Sequence, residues 1–322
     1  MSSSATVGQQ DSQSPLAQVS GELTPHAPFD FDQTLGFLRR FTPTADEQRL
    51  TDDTLTRAIA LNGRAVVFSV RSAGTVAQSR LAYTLASATP LSEGERATLR
   101  DRISFALSLD DDLGAFYQRA QGDTALEPVV ARLYGLHQPK FLTPFELACW
   151  AILTQRTPIP IARQIKQRLV ARYGVELAVD GFSYRAFPEV ATLASADPAE
   201  LADLVRNARK ANYLLAVIQF FDEVDEGWLR SAPVDEVQAR LRGVRGIGEW
   251  SAMFLLVRGL GRMDAMPSSD GELQRATARL YNAGQPLPAD AFARLLERYG
   301  DTRGYWMFYC RNAIESGSGR TE

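Results

Sequence analysis

The chain has 322 residues, of which 45% are hydrophobic and 23% charged, and its formal net charge at pH 7 is −3. That composition suits a globular chain of roughly two domains and lacks the overall basic excess that marks most nucleic-acid-binding domains. Two distant cysteines, Cys149 and Cys310, exclude a disulfide framework and a four-cysteine zinc or iron–sulfur centre, and no stretch is apolar for long enough to cross a bilayer as a helix.

Residues 1–27 are rich in Ser and Gln and carry no anchoring apolar pattern, so disorder is expected there. They also lack a basic start leading into an apolar run, which predicts a cytoplasmic chain without a targeting signal. Residues 28–112 read as a small α+β domain. A helix is predicted over 32–41, then strands over 55–61 and 65–70 joined by the turn dipeptide Asn62-Gly63, a further strand over 80–86, and a helix over 93–107. From 113 to 315 strand patterns vanish and an all-α domain is predicted, with helical windows over 145–153, 161–173, 198–206, 210–221, 234–241, 249–260, 271–281 and 289–299. The first two windows are parted by Thr157-Pro158-Ile159-Pro160, because proline cannot continue a helix. Residues 316–322 are a Ser/Gly-containing tail, expected to be flexible.

Charge is unevenly distributed. Acids gather in 44–53, 110–112 and 222–226, whereas 156–172, 206–210 and 240–245 are locally basic. A cationic face can therefore coexist with an acidic whole. One basic stretch runs into Leu241-Arg242-Gly243-Val244-Arg245-Gly246-Ile247-Gly248-Glu249-Trp250-Ser251-Ala252, between two helical windows. Glycines on either side of one apolar residue allow two helices to meet through a tight hairpin whose backbone N–H groups approach an anion closely. Such amides suit a phosphate and read no sequence. The same glycines also fit an ordinary helix cap followed by a turn.

The run continues to Leu260-Gly261-Arg262-Met263-Asp264-Ala265-Met266-Pro267-Ser268-Ser269-Asp270. Together the two stretches resemble the helix-hairpin-helix (HhH-GPD) DNA glycosylase superfamily, with bacterial 3-methyladenine DNA glycosylase II the nearest branch. Pro28-Phe29-Asp30-Phe31 with Leu35-Gly36-Phe37-Leu38, Phe145-Glu146 with Ala151-Ile152-Leu153-Thr154-Gln155, and Phe187-Pro188 through Ala194-Ser195-Ala196-Asp197-Pro198 are similar too. The resemblance implies a small antiparallel-sheet domain like half of a TATA-binding-protein fold, followed by an all-α helix-hairpin-helix bundle. It further implies a monomer that acts on alkylated bases in double-stranded DNA, associates with the nucleoid when bound, and needs no redox cofactor. By the same resemblance, the carbonyls of Arg242, Val244 and Ile247 hold a monovalent cation at the hairpin.

Its residues transfer as follows. Asp270 becomes the essential carboxylate, since breaking an N-glycosidic bond builds positive charge on the deoxyribose that a fixed negative charge opposes. Ser269 and Glu272 also have capping-box spacing, so a helix cap is the competing role for Asp270. Trp250 and Phe254, one helical turn apart, match aromatics that stack on a flipped base, and Phe37 matches a further pocket aromatic; packing in the core is the alternative. Gly246, Gly248 and Ser251 would meet the DNA backbone, and Gln155, Arg156 and Thr157 occupy the strand-wedging segment. Bifunctional relatives carry a Schiff-base lysine where this chain has Trp250, which implies a monofunctional enzyme that leaves abasic sites. Arg156 stands where the nearest branch inserts an apolar wedge, Gly271 replaces an aromatic, and Arg311 replaces a pocket tryptophan, so a more open or more polar pocket is expected. The competing readings are a non-enzymatic helix-hairpin-helix DNA-binding protein and a glycosylase for oxidised or mismatched bases.

Overall fold

A computed structural model describes residues 15–265 and 271–315, with side chains to Ala313. The N-terminal part comprises β1 (Ala17–Leu23), α1 (Phe31–Arg40), a 3-10 segment at Thr42–Glu47, β2 (Gln48–Leu50), β3 (Thr54–Leu61), β4 (Arg64–Ser72), β5 (Leu81–Ser87) and α2 (Glu93–Leu107). The strands form one antiparallel sheet in the order β1-β5-β4-β3-β2. Leu61 pairs with Arg64, which leaves Asn62 (φ 52°) and Gly63 (φ 73°) as the two-residue turn. Positive φ at both positions matches the right-handed strand twist, and this is why Asn-Gly joins them. Ser92 caps α2 through a reciprocal capping box with Glu95, so the predicted limits 93–107 coincide with the observed helix.

One strand falls where disorder was expected. Ala17–Leu23 lies inside residues 1–27 and pairs with β5 along its whole length, from Ala17 with Ser87 to Leu23 with Leu81. Its sequence, AQVSGEL, is mostly small and polar. Period-2 hydrophobicity is therefore faint, and only pairing with β5 supplies its hydrogen bonds.

The remaining elements are α3 (Gly114–Ala120), α4 (Glu127–Arg132), α5 (Pro144–Thr154), α6 (Ile159–Tyr173), β6 (Val175–Val179), β7 (Phe182–Ala186), α7 (Val190–Ala194), α8 (Pro198–Val205) and α9 (Ala208–Glu223). They are followed by α10 (Glu226–Ser231), α11 (Val234–Arg242), α12 (Glu249–Phe254), α13 (Gly271–Tyr281), α14 (Ala289–Tyr299) and α15 (Arg303–Glu315). The hairpin β6-β7 corrects the expectation of a strand-free second half. Asp180 (φ 50°) and Gly181 (φ 78°) make its turn, and Val175, Leu177 and Val179 alternate along its first strand. Tyr184 and Ala186 pack with Ala58 and Val67 on one face of the N-terminal sheet. The other face, with Val66, Phe68 and Val70, joins Leu35, Leu99 and Ile103 in the main core. The sheet is thus covered on both sides.

The helix α5 lies in the main core, buried from Pro144 to Leu153. Thr143 caps it by accepting from the Glu146 N–H at 3.0 Å, with Pro144 at its first position. A four-charge cluster ties this helix to the sheet. Glu146 Oε1 accepts from Arg57 Nη2 at 2.8 Å and from Lys166 Nζ at 2.7 Å, and Glu47 pairs with the same two cations. Arg57, Glu146 and Lys166 are all buried. The cluster therefore pins β3 and the 3-10 segment to α5 and α6. Cys149 and Cys310 are both buried, unpaired by disulfide, and burial pushes both thiols upward in pKa. They are inert packing residues rather than nucleophiles. Among the described residues no helix is long and apolar enough to cross a membrane.

Candidate functional site

A cavity of about 310 Å³ opens between the C-terminal end of α1, the α12 helix and its extension, and α15. Trp250 and Phe254 form one aromatic wall, their rings stacked at 5.0 Å with 16° between planes. Trp250 is 50% exposed, at the mouth. Phe37 contributes from α1, stacked on Phe41 at 5.5 Å and edge-on to Phe308 at 5.3 Å. Met253 and Val257 also line the cavity, so the helical face read from the spacing of residues 250, 253, 254 and 257 is the one that faces it. The structure thus brings together Phe37, Trp250 and Phe254, and it places Arg311 on the same lining.

Other lining residues escaped the sequence reading. Phe41 lies one helical turn beyond Phe37 and Arg258 one turn beyond Phe254, a spacing that could have revealed both, whereas Phe308 and Gln138 reach the cavity only through the folding of distant segments. Residues 249–260 were predicted as one regular helix. Instead α12 passes into a π-turn at Leu255–Gly259, where the Leu260 N–H donates to the Leu255 carbonyl at 2.8 Å. Arg258 sits on that turn, buried, with its guanidinium carbon 4.8 Å from the Phe41 ring centre and 5.2 Å from that of Phe37. Asp270 lies outside the described residues, and α13 begins at the next residue, Gly271. Among the described lining residues Glu272 is the only acidic one.

Beside the cavity, α11 ends at Arg242 and a tight hairpin leads to Gly248, the N-cap of α12. The two glycines serve different needs. Gly246 has φ +98°, and a Cβ there would lie 2.5 Å from Cγ of Tyr213, so both backbone conformation and packing demand glycine. Gly248 is extended (φ −85°, ψ −177°) and a Cβ would meet nothing within 4 Å. The molecule itself sets no demand for glycine at this position. Ser251 is buried, which leaves its backbone rather than its hydroxyl at the N-terminal turn of α12. The carbonyls of Arg242, Val244 and Ile247 are neutral oxygen donors of the kind that suits a weakly held monovalent cation. That of Val244 already accepts from the Ile247 N–H at 3.0 Å.

The segment after α5 is locked to this hairpin. Gln155 Nε2 donates to the Gly246 carbonyl at 2.7 Å. Lys210, buried at the start of α9, donates to the Leu153 carbonyl at 2.6 Å and to the Thr157 hydroxyl, and burial lowers its pKa. Between these anchors Arg156 adopts φ +50° and is exposed. A left-handed non-glycine residue held between two tethers presents its side chain outward in a set direction. Arg206, Arg209, Arg242 and Arg245 are exposed as well, and Arg209 Nε donates to the hydroxyl of Tyr213, whose ring underlies Gly246. This is the local basic face anticipated from the charge pattern.

An antiparallel-sheet domain leading into a helical bundle, with a glycine hairpin and a tethered arginine loop beside an aromatic cavity, defines a helix-hairpin-helix architecture of the two-part kind. Residues 149–300 match the HhH-GPD superfamily of base excision DNA repair proteins. A DNA-3-methyladenine glycosylase of Bacillus subtilis is 25% identical over 287 residues, covering 87% of this chain and 92% of that protein. DNA-3-methyladenine glycosylase 2 of Escherichia coli is 30% identical over 179 residues, 54% of this chain and 58% of that protein. The solved 3-methyladenine DNA-glycosylase from Archaeoglobus fulgidus superposes with a TM-score of 0.76 at 22% identity, over 93% of this chain and all of that one. The last likeness establishes the two-part fold.

Proposed function

We propose that the chain hydrolyses the N-glycosidic bond of alkylated bases of the 3-methyladenine and 7-methylguanine type in double-stranded DNA, flipping the nucleotide into the aromatic cavity. The observation that carries this reading is the Trp250–Phe254 stack, half-exposed at the mouth of a cavity beside the glycine hairpin. A flat, partly open aromatic surface suits the face of an extruded base, and electron-rich rings favour electron-poor alkylated ones. The names of the similar glycosylases agree with it. In the reaction, water attacks C1′ of the deoxyribose as the bond to the base nitrogen breaks. The bonding electrons leave with the base, which neutralises its cationic ring, and the water proton is lost to a base. Asp270, two residues from the cavity-lining Glu272, is the carboxylate that opposes the developing sugar charge and orients or deprotonates the water. Trp250 has no amine, so no Schiff base forms and the strand stays intact.

The test is incubation with methylated duplex. Free methylated bases should appear, the strand should remain whole until heated in alkali, and borohydride should trap no protein–DNA complex. Binding without any base release would favour the non-enzymatic reading, and a trapped complex with a cut strand would overturn the monofunctional one.

The hairpin supplies a separate check. Because the space around Gly248 is open, Gly248→Val should fold normally, yet its side chain would stand between the hairpin amides and a phosphate. Duplex affinity should fall about tenfold, the scale of a lost hydrogen bond to a charged group, and by the same factor with intact and damaged DNA. Unchanged affinity in a titration of both duplexes would remove the hairpin from the interface. Gly246→Val is unsuited to this purpose, since it collides with Tyr213.

A further inference from the structure

We propose that Arg258 is a specificity-determining residue that reads the edge of the extruded base and makes the cavity prefer alkylated guanines over alkylated adenines. This rests on the glycosylase reading above and adds to it a discrimination among lesions. Among the described residues three arginines line the cavity, Arg40, Arg258 and Arg311, and of these only Arg258 is buried; Arg40 is exposed and Arg311 half-buried. Arg258 sits on the π-turn at Leu255–Gly259, the kind of local widening that recurs at functional sites. The guanidinium carbon lies 4.8, 5.2 and 6.0 Å from the ring centres of Phe41, Phe37 and Phe308. Three aromatic faces thus offset part of the cost of burying the cation and fix its position.

Two consequences follow from the chemistry of that group. A guanidinium has five N–H donors, no acceptor, and a charge that persists at every pH at which the protein folds. At the corresponding edge of a purine, guanine offers the O6 acceptor and adenine an amino group that only donates. Guanine therefore supplies a partner for a positively charged donor, whereas adenine sets donor against donor. The rings that contact Arg258 also differ from the Trp250–Phe254 pair, so stacking by that pair remains open to either base. The Trp250 wall attracts the alkylated ring and Arg258 sorts its exocyclic group.

7-Methylguanine and 3-methyladenine separate the two effects, because both are cationic while attached to the sugar and they differ at this edge. The experiment is single-turnover release of both bases from one methylated duplex, followed by chromatography, with wild type, Arg258→Met and Arg258→Lys. Arg258→Met should lower the rate for 7-methylguanine about 10- to 100-fold relative to that for 3-methyladenine, the range expected for loss of a charge-assisted hydrogen bond. Arg258→Lys, which keeps the charge and loses the planar fork, should shift the ratio in the same direction by less. Both bases leave the same DNA in the same tube, so a smaller folded fraction lowers both yields and leaves the ratio alone. An unchanged ratio in either variant, including an equal fall of both rates, overturns the proposal and assigns Arg258 to holding the site together. Release of neither base by the wild-type chain would overturn the glycosylase reading itself.

Discussion

Asp270→Asn is expected to lower base excision by about 100-fold or more while leaving duplex binding intact. The amide has nearly the shape of the carboxylate and no charge, so what is lost is the stabilisation of the sugar cation in the transition state, and one well-placed electrostatic group contributes on this scale. Asp264 is the control. It is exposed, with Arg262 Nε 3.6 Å from its carboxylate, and it does not line the cavity. Single-turnover rates with methylated duplex should show Asp264→Asn close to wild type. If Asp264→Asn lost activity and Asp270→Asn kept it, the catalytic assignment would move to the earlier aspartate.

The second large effect is on stability. Glu146 is enclosed between Arg57 and Lys166, and Glu146→Gln leaves two buried cations with Glu47 as their only acidic partner in the cluster. Removing one member of a buried ion pair costs about 3–5 kcal/mol, chiefly because the remaining charge cannot be resolvated. Equilibrium unfolding in denaturant should register a loss of that size; a change below about 1 kcal/mol would mean that the cluster behaves like a surface pair. The pH dependence carries a sign. Burial raises the Glu146 carboxyl, but the two cations outweigh it and hold its pKa at about 2, below the usual 4.5. A carboxylate depressed on folding contributes stability that is present above pH 4.5 and is lost as pH falls toward 2. Burial raises Glu47 instead, so it takes up a proton first as the solution is acidified. The wild type should therefore lose stability across this window more steeply than Glu146→Gln. The cluster also holds α5, which leads into the Arg156 loop, against the Thr42–Glu47 segment next to Phe41. Its loss should loosen the cavity before the core melts.

Much of the site was legible in contiguous residues. Asn62-Gly63 predicted a two-residue hairpin because that turn needs positive φ twice, and the structure has it. The windows over 93–107, 271–281 and 289–299 coincide with α2, α13 and α14, since caps and apolar spacing are local signals. Trp250, Met253, Phe254 and Val257 share a face at helical period and do line one cavity. Asp180-Gly181 carries the same turn signal, flanked by alternating apolar residues and set between the helical windows over 161–173 and 198–206.

What the sequence determined by itself is therefore the local vocabulary: the turns, the caps, the glycine hairpin between α11 and α12, and the aromatic face that follows it. Each depends on residues a few positions apart, where backbone sterics and side-chain period act directly. Tertiary structure alone decided that β1 would pair with β5 despite its polar composition, that Gln155 would reach the Gly246 carbonyl, that Gly246 rather than Gly248 would need glycine, and that Phe308 would meet Phe37 across the cavity. It also turned Arg258 from one charge on a predicted helix into a buried cation among three aromatic rings. The physical reason is that burial and ring contacts arise between segments as far apart as α1 and α15. No period within either segment encodes the distance at which folding brings them together.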